Sequence, residues 1–233
     1  MTDSVTHGAV RSGAPARLTT SGRLLMCAAA AGPLYVTVAG AQVAARHGFD
    51  VRRRAVSLLS NGDLGWVQIA NFVVSGLLTV LGAVGMGRVL GGPERRRTLA
   101  PMLVGIYGAS LVAAGVFVAD PAFGFPPGTP PGPTASLSWH GAVHLVAGSV
   151  GFLAITAAGL AFARHFRASG LPGWAWYSRA TGLLVLVTFA AIATGAQLAT
   201  VTMAFAVAVG AAWTWLSLVS AQLVRSGVRG HAR

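Results

Sequence analysis

Residues 180–224 read ATGLLVLVTFAAIATGAQLATVTMAFAVAVGAAWTWLSLVSAQLV and contain no charged side chain. A single α-helix of this length would rise about 67 Å, twice the hydrocarbon thickness of a bilayer. The segment must therefore turn back, and its polar and β-branched residues place the turn near Gln197–Thr202. This stretch predicts two membrane-spanning helices, Ala180–Ala199 and Thr202–Val224.

Four further apolar segments precede this pair, and each is close to the roughly 20 residues that cross a bilayer as a helix. No segment shows the pattern of a β-strand. We predict an all-α, polytopic transmembrane bundle of six helices over residues 22–225. Residues 1–21 are predicted to be a disordered cytoplasmic tail, and residues 226–233 a cytoplasmic tail. The four earlier spans are Leu24–Ala45, Trp66–Leu90, Leu99–Ala119 and Gly141–Ala163.

The charge distribution predicts the orientation. Only 9% of the 233 residues are charged, and all 17 basic residues are Arg. They lie between apolar runs rather than on one face, which argues against nucleic-acid binding. With the amino terminus inside, thirteen Arg are cytoplasmic, and only Arg46 and Arg52–Arg54 are outside. The positive-inside rule therefore predicts that both termini are cytoplasmic.

Polar residues follow one face of the second span. Gln68, Asn71, Ser75 and Thr79 recur at helical spacing, and we expect this face to point into the bundle. Two interpretations are open. The stripe either supplies hydrogen bonds between helices or forms one wall of an outward-facing ligand pocket. In the second case the predicted pocket residues are Gln68, Asn71, Ser75, Asp63 and Trp139.

Ionisable groups cluster where the third span ends and the fourth begins. Asp120 precedes a proline, and His140 and His144 are four residues apart, on one helical face. The three residues are catalytic candidates and candidate ligands of a zinc ion, the cofactor that this spacing would suit. The alternatives are a contact between the carboxylate and a protonated imidazole, or a hydrogen-bond lock that only holds the loop.

Two outer loops have unusual compositions. In the first, Arg52–Arg54 either neutralise nearby carboxylates or bind lipid phosphates, and the residues that follow could form an amphipathic helix at the membrane interface. In the second, residues 123–134 contain five prolines, which indicates either an ordered cap or a polyproline segment.

Three stretches resemble a known family. Residues 57–72 read SLLSNGDLGWVQIANF, residues 115–130 read GVFVADPAFGFPPGTP, and residues 137–144 read LSWHGAVH. Together they resemble the actinobacterial membrane family called domain of unknown function 998, over about residues 24–225. The resemblance implies a location in the bacterial inner membrane and no settled activity.

The chain lacks a G-x-S-x-G motif, a phosphate-binding glycine loop and a dinucleotide fingerprint. Our first hypothesis is therefore a non-enzymatic membrane protein that binds a lipid or small ligand, or supports a protein partner, at the outer polar cluster. Membrane lipids are its expected partners, and nucleic acid is not. The alternative is a metal-dependent intramembrane hydrolase that acts on lipid or envelope substrates.

Overall fold

The computed structural model describes residues 19–91, 99–134, 136–195 and 198–230, with side chains as far as Ser226. Within these ranges the chain forms six α-helices and no β-strand, and every helix is long and apolar enough to cross a membrane. The predicted all-α bundle of six membrane-spanning helices is thereby confirmed. The helices are α1 (Thr20–Ala45), α2 (Gly65–Leu90), α3 (Leu99–Val116), α4 (Trp139–Ala168), α5 (Pro172–Ala193) and α6 (Ala199–Gly230).

Several predicted boundaries are wrong. Helix α5 begins at Pro172 rather than at the predicted Ala180. In the sequence, Arg179 interrupts the apolar run, but in the structure it lies within the helix. Its guanidinium group packs over the Trp176 ring, 5.2 Å from the ring centroid. Helix α3 ends at Val116, before the predicted Ala119. Helix α6 continues past residue 225 to Gly230.

The last reversal of the chain falls between Ala193 and Ala199, slightly earlier than the predicted turn near Gln197–Thr202. Gln197 itself lies outside the described residues, as do most of the predicted amino-terminal tail and the last three residues of the predicted carboxyl-terminal tail.

The six helices form a closed ring in which each packs against the next in sequence and α6 packs against α1. Large aromatic side chains fill the middle of this ring. Trp213 of α6 stacks on Tyr35 of α1 with ring centroids 4.6 Å apart, and it lies 5.5 Å from the ring of Tyr107 of α3. The centre of the ring is therefore a packed core rather than an open channel.

Helices α2 and α3 approach closely because glycines face each other at their crossing. A Cβ atom on Gly76 would lie 2.7 Å from the carbonyl oxygen of Gly108, and one on Gly108 would lie 2.8 Å from that of Gly76. Small residues at such crossings allow the backbones of membrane helices to pack directly.

Two loops cover one end of the ring, where α1 and α3 end and α2 and α4 begin. We call residues 46–64 together with 117–138 the cap, and this end of the ring the capped end. The first loop contains a short 3-10 helix, Val56–Ser60, which buries Leu58 and Leu59. The second loop turns back on itself, since the Phe123 amide donates to the Gly132 carbonyl at 2.6 Å. The ordered cap is thus the correct alternative, and an extended polyproline segment is wrong.

Arginine side chains hold the two loops of the cap together. Arg46 donates to the carbonyl of Leu59 at 2.5 Å, and Arg54 donates to the carbonyl of Phe123 in the other loop at 2.8 Å. Both guanidinium groups lie over the buried ring of Phe125, at 4.9 and 5.9 Å from its centroid. Two of the four arginines of the first loop therefore have structural roles.

The remaining two arginines of the first loop lie at the surface. Arg52 pairs with Asp50 at 3.1 Å, and this hydrogen bond lowers the pKa of the Asp50 carboxyl. Arg53 is exposed. The predicted amphipathic helix at the membrane interface is wrong, because Leu58 and Leu59 face the interior of the cap rather than lipid.

With six helices, the start of α1 and the end of α6 lie on the side opposite the cap, and the arginine distribution predicts that this side is cytoplasmic. A reporter inserted at residue 130 should therefore indicate a location outside the cytoplasm. A reporter fused after residue 233 should indicate a cytoplasmic location. Paired alkaline phosphatase and fluorescent protein fusions measure this. Reporters in the same compartment would contradict the six-helix topology.

Candidate functional site

Asp120 is held against the start of α4. Its carboxylate accepts hydrogen bonds from the backbone amide of Ser138 at 2.8 Å and from the Ser138 hydroxyl at 2.6 Å. The same hydroxyl accepts from the amide of Gly141 at 3.0 Å and so caps the helix. A Cβ atom on Gly141 would overlap the Asp120 carboxylate, so any larger residue here would displace that carboxylate. The hydrogen bond from the Ser138 hydroxyl is the main cause of the lowered pKa of Asp120.

The two histidines of α4 bind the end of α3. Nδ1 of His140 lies 3.0 Å from the Val118 carbonyl oxygen, and Nδ1 of His144 lies 3.0 and 2.9 Å from those of Ala114 and Phe117. A carbonyl oxygen can only accept, so Nδ1 carries the proton in both rings. The imidazoles thus satisfy carbonyl groups that have no partner within a helix end.

The structure brings Asp120 and His140 together and places His144 one helical turn deeper. Asp120 Oδ1 lies 3.9 Å from His140 Nδ1, within ion-pair distance if the imidazole is protonated. Across the described ranges, no three His, Cys, Asp or Glu side chains are grouped closely enough to hold a metal ion. This donor set does not fit a zinc centre, which takes at least three protein ligands. The arrangement matches the hydrogen-bond lock, with each helix end bound by side chains of the other.

A second polar group lies inside the ring, and we call Gln42, Gln68 and Asn71 the amide cluster. Gln42 Nε2 donates to Gln68 Oε1 at 2.8 Å, and Asn71 Nδ2 donates to the carbonyl oxygen of Tyr35 at 3.2 Å. Gln68 is fully buried, Asn71 is 4% exposed and Ser75 is fully buried. The prediction that this face of α2 points into the bundle is therefore confirmed. These bonds also join α1 to α2, as the first interpretation expected.

Three buried polar atoms around the amide cluster lack a hydrogen-bond partner among the described residues. They are Oε1 of Gln42, Nε2 of Gln68 and Nε1 of Trp213. Gln42 and Gln68 touch each other, and Trp213 stacks on Tyr35, whose carbonyl binds Asn71. One acceptor and two donors thus lie on the inner faces of α1, α2 and α6, beside the polar side chains of Asn71 and Tyr35.

A family model described as "Protein of unknown function (DUF998)" matches residues 29–222. The chain belongs to the DUF998 family. The match includes the whole cap, the amide cluster and the junction of α3 with α4. No curated protein and no solved structure matches the chain significantly.

Two residues of the predicted pocket lie apart from the amide cluster of this DUF998 protein. Asp63 is exposed in the cap, and Trp139 is 71% exposed. The Trp139 ring packs edge to face against Phe117, 5.8 Å away. The structure therefore brings together Gln68, Asn71 and Ser75 but adds neither Asp63 nor Trp139 to them.

Sequence reasoning missed three residues that complete these sites in the DUF998 chain. Gln42 is the partner of Gln68, and its position as an amide within an apolar span was a usable signal. Ser138 directly precedes the fourth helix, and serine is a favoured residue at the N-cap position of a helix. Tyr35 acts through its backbone carbonyl, which no side-chain pattern can indicate.

Proposed function

We propose that this DUF998 member is a non-enzymatic integral membrane protein that binds one membrane-soluble small molecule at the amide cluster. The ligand class is a lipid or small molecule that presents a hydroxyl or amide group. The observation that carries the proposal is the pair of touching, buried amides whose Gln42 Oε1 and Gln68 Nε2 have no partner among the described residues.

The energetic argument concerns these two atoms. A buried polar atom without a partner costs about 1–3 kcal/mol, and lipid surroundings supply no replacement. A hydroxyl group both donates and accepts, so a single one can bond to Gln42 Oε1 and Gln68 Nε2 together. Both atoms are themselves inaccessible in the packed bundle, so a ligand would reach them through a local opening of the helices around Gln42 and Gln68.

The charged residues of the cap are less suited to chemistry. Asp120 is engaged by Ser138, and both histidines donate Nδ1–H to carbonyl groups of the chain that ends α3. A metal-dependent hydrolase needs a set of ligands that the described residues do not assemble. Ligand binding at the amide cluster is therefore the function that the geometry favours.

The setting of this function rests on composition. Six apolar helices imply a lipid environment. We assign the chain to the bacterial inner membrane, with the cap outside, on the distribution of arginines and the resemblance of its motifs. Lipids are then both the solvent of the protein and the most accessible source of its ligand.

The test compares the wild type with the Gln42→Leu, Gln68→Leu double variant. Leucine is close to glutamine in size, and replacing both partners of a buried hydrogen bond is nearly neutral for folding. We expect about one hydroxyl- or amide-bearing molecule per wild-type chain after mild extraction, and its loss from the double variant. Mass spectrometry of the compounds released from purified protein measures both.

Thr214→Val is the matched control, because Thr214 is exposed on α6 and binds only a carbonyl of its own helix. The control should retain the bound molecule. If wild type and double variant release the same compounds, and the double variant is the more stable, the amides serve only to join α1 and α2.

A further inference from the structure

A groove opens on the side of the ring between α2 and α3, in the half of the bundle away from the cap. It is a shallow groove, open to the side, with a volume of about 430 Å³. Its walls are apolar, with Val80, Ala83 and Val84 on α2 and Met102, Gly105 and Ala109 on α3. Gly105 and Ala109 place almost no side chain on the α3 wall, which leaves this space open.

The groove faces the membrane rather than the core of the ring. Val84 is 45% exposed and Met102 is 54% exposed, whereas Ala83 at the floor is 7% exposed. In a membrane-spanning bundle, an exposed apolar surface meets lipid chains. An acyl chain is therefore the occupant that matches both the chemistry and the location.

A positive charge marks one end of the groove. Arg88 follows Val84 by four residues on α2, so it lies on the same face, one turn closer to the membrane surface. It is exposed and forms no ion pair with a described carboxylate.

We infer that this groove is a binding site for an anionic phospholipid, with one acyl chain between α2 and α3 and the phosphate on Arg88. The guanidinium group matches phosphate oxygens in geometry and charge, and its long side chain reaches the interface from within the last turn of the helix. This site lies at the opposite end of the ring from the amide cluster and does not depend on the proposed function.

The experiment is native mass spectrometry of the purified chain with dioleoylphosphatidylglycerol or dioleoylphosphatidylcholine, which share their chains and differ in net charge. The wild type should bind the anionic lipid about fivefold more tightly, as expected for one basic residue at the membrane surface. Arg88→Gln should remove this preference while chain binding remains. Gly105→Leu should abolish binding of both lipids at this site.

Each variant has a matched control. Arg53→Gln removes an exposed arginine at the capped end, and Gly148→Leu adds a leucine at a helix position with open space. A Cβ on Gly105 makes only ordinary contact, 3.6 Å from Ala83, and the rest of the leucine side chain can extend into the open groove. Equal binding of the two lipids by the wild type would overturn the inference. So would lipid binding unchanged by Gly105→Leu, or a change of oligomeric state in that variant alone, which would make the groove a contact between copies.

Discussion

Phe125→Ala should unfold the cap while the six helices remain in place. Phe125 is 1% exposed and lies at the centre of the cap, in edge-to-face contact with Phe49 at 5.1 Å. Truncating a buried phenylalanine to alanine costs about 3–5 kcal/mol. Here the guanidinium groups of Arg46 and Arg54 also lose the ring beneath them. Limited proteolysis from the cap side, followed by identification of the cleavage sites, should show new cuts within residues 117–138.

Two comparisons separate the sources of this effect. Leu137→Ala changes a residue of the same loop that is 55% exposed and should leave the cleavage pattern unchanged. Phe125→Leu keeps most of the apolar volume but removes the aromatic ring, so it should show an intermediate loss. If Phe125→Ala resists protease as well as the wild type, the cap is not held together by this side chain.

Asp120→Asn should lower the stability of the junction between α3 and α4 by about 3 kcal/mol, because hydrogen bonds to a charged acceptor contribute about 1.5–3 kcal/mol each. The carboxylate accepts two hydrogen bonds from Ser138 and faces the start of α4, where negative charge is favoured. The asparagine side chain has one acceptor oxygen in place of two. It can therefore accept a hydrogen bond from only one of the two Ser138 donors, and its NH2 group would face the other donor. Thermal unfolding in detergent, followed by circular dichroism, measures the loss.

The same contact predicts a dependence on pH. The Asp120 pKa is lowered in the folded chain, so its stabilisation is complete above the unfolded carboxyl pKa of about 4. This stabilisation is lost as the pH falls through the lower pKa that Asp120 has in the folded protein. The melting temperatures of wild type and Asp120→Asn should therefore differ most at neutral pH and converge in acid. Asp63→Asn, an exposed change in the same cap, is the control, and a constant difference across pH would contradict the assignment.

The number and approximate position of the helices were predictable because a membrane restricts the chain to apolar segments of nearly fixed length. Boundaries near charged residues were less predictable. Arg179 interrupts the apolar run in sequence, yet its side chain rests on Trp176 and the helix continues past it. A long cationic side chain can stay within a helix in this way while its charge reaches the interface.

The candidate site was predictable in position but not in role. The connection between α3 and α4 indicated that Asp120 and His140 would be close, and they lie 3.9 Å apart. What the histidines bind was hidden, because their partners are backbone carbonyls of Ala114, Phe117 and Val118. Every residue has such a carbonyl, so a sequence carries no sign of which ones a neighbouring helix will use.

The closed ring of helices has a consequence for how the chain is assembled during synthesis. As each helix from α2 to α5 leaves the ribosome, the helix before it, against which it packs, is already inserted. Helix α6 is different, because it must also dock onto α1, the oldest of the six. The contact is intimate: a Cβ on Gly32 would lie 2.6 Å from the carbonyl oxygen of Trp213. Until that docking occurs, Tyr35 has its contact with Phe72 of α2 but lacks the ring of Trp213, and the surface of α1 around Gly32 stays uncovered.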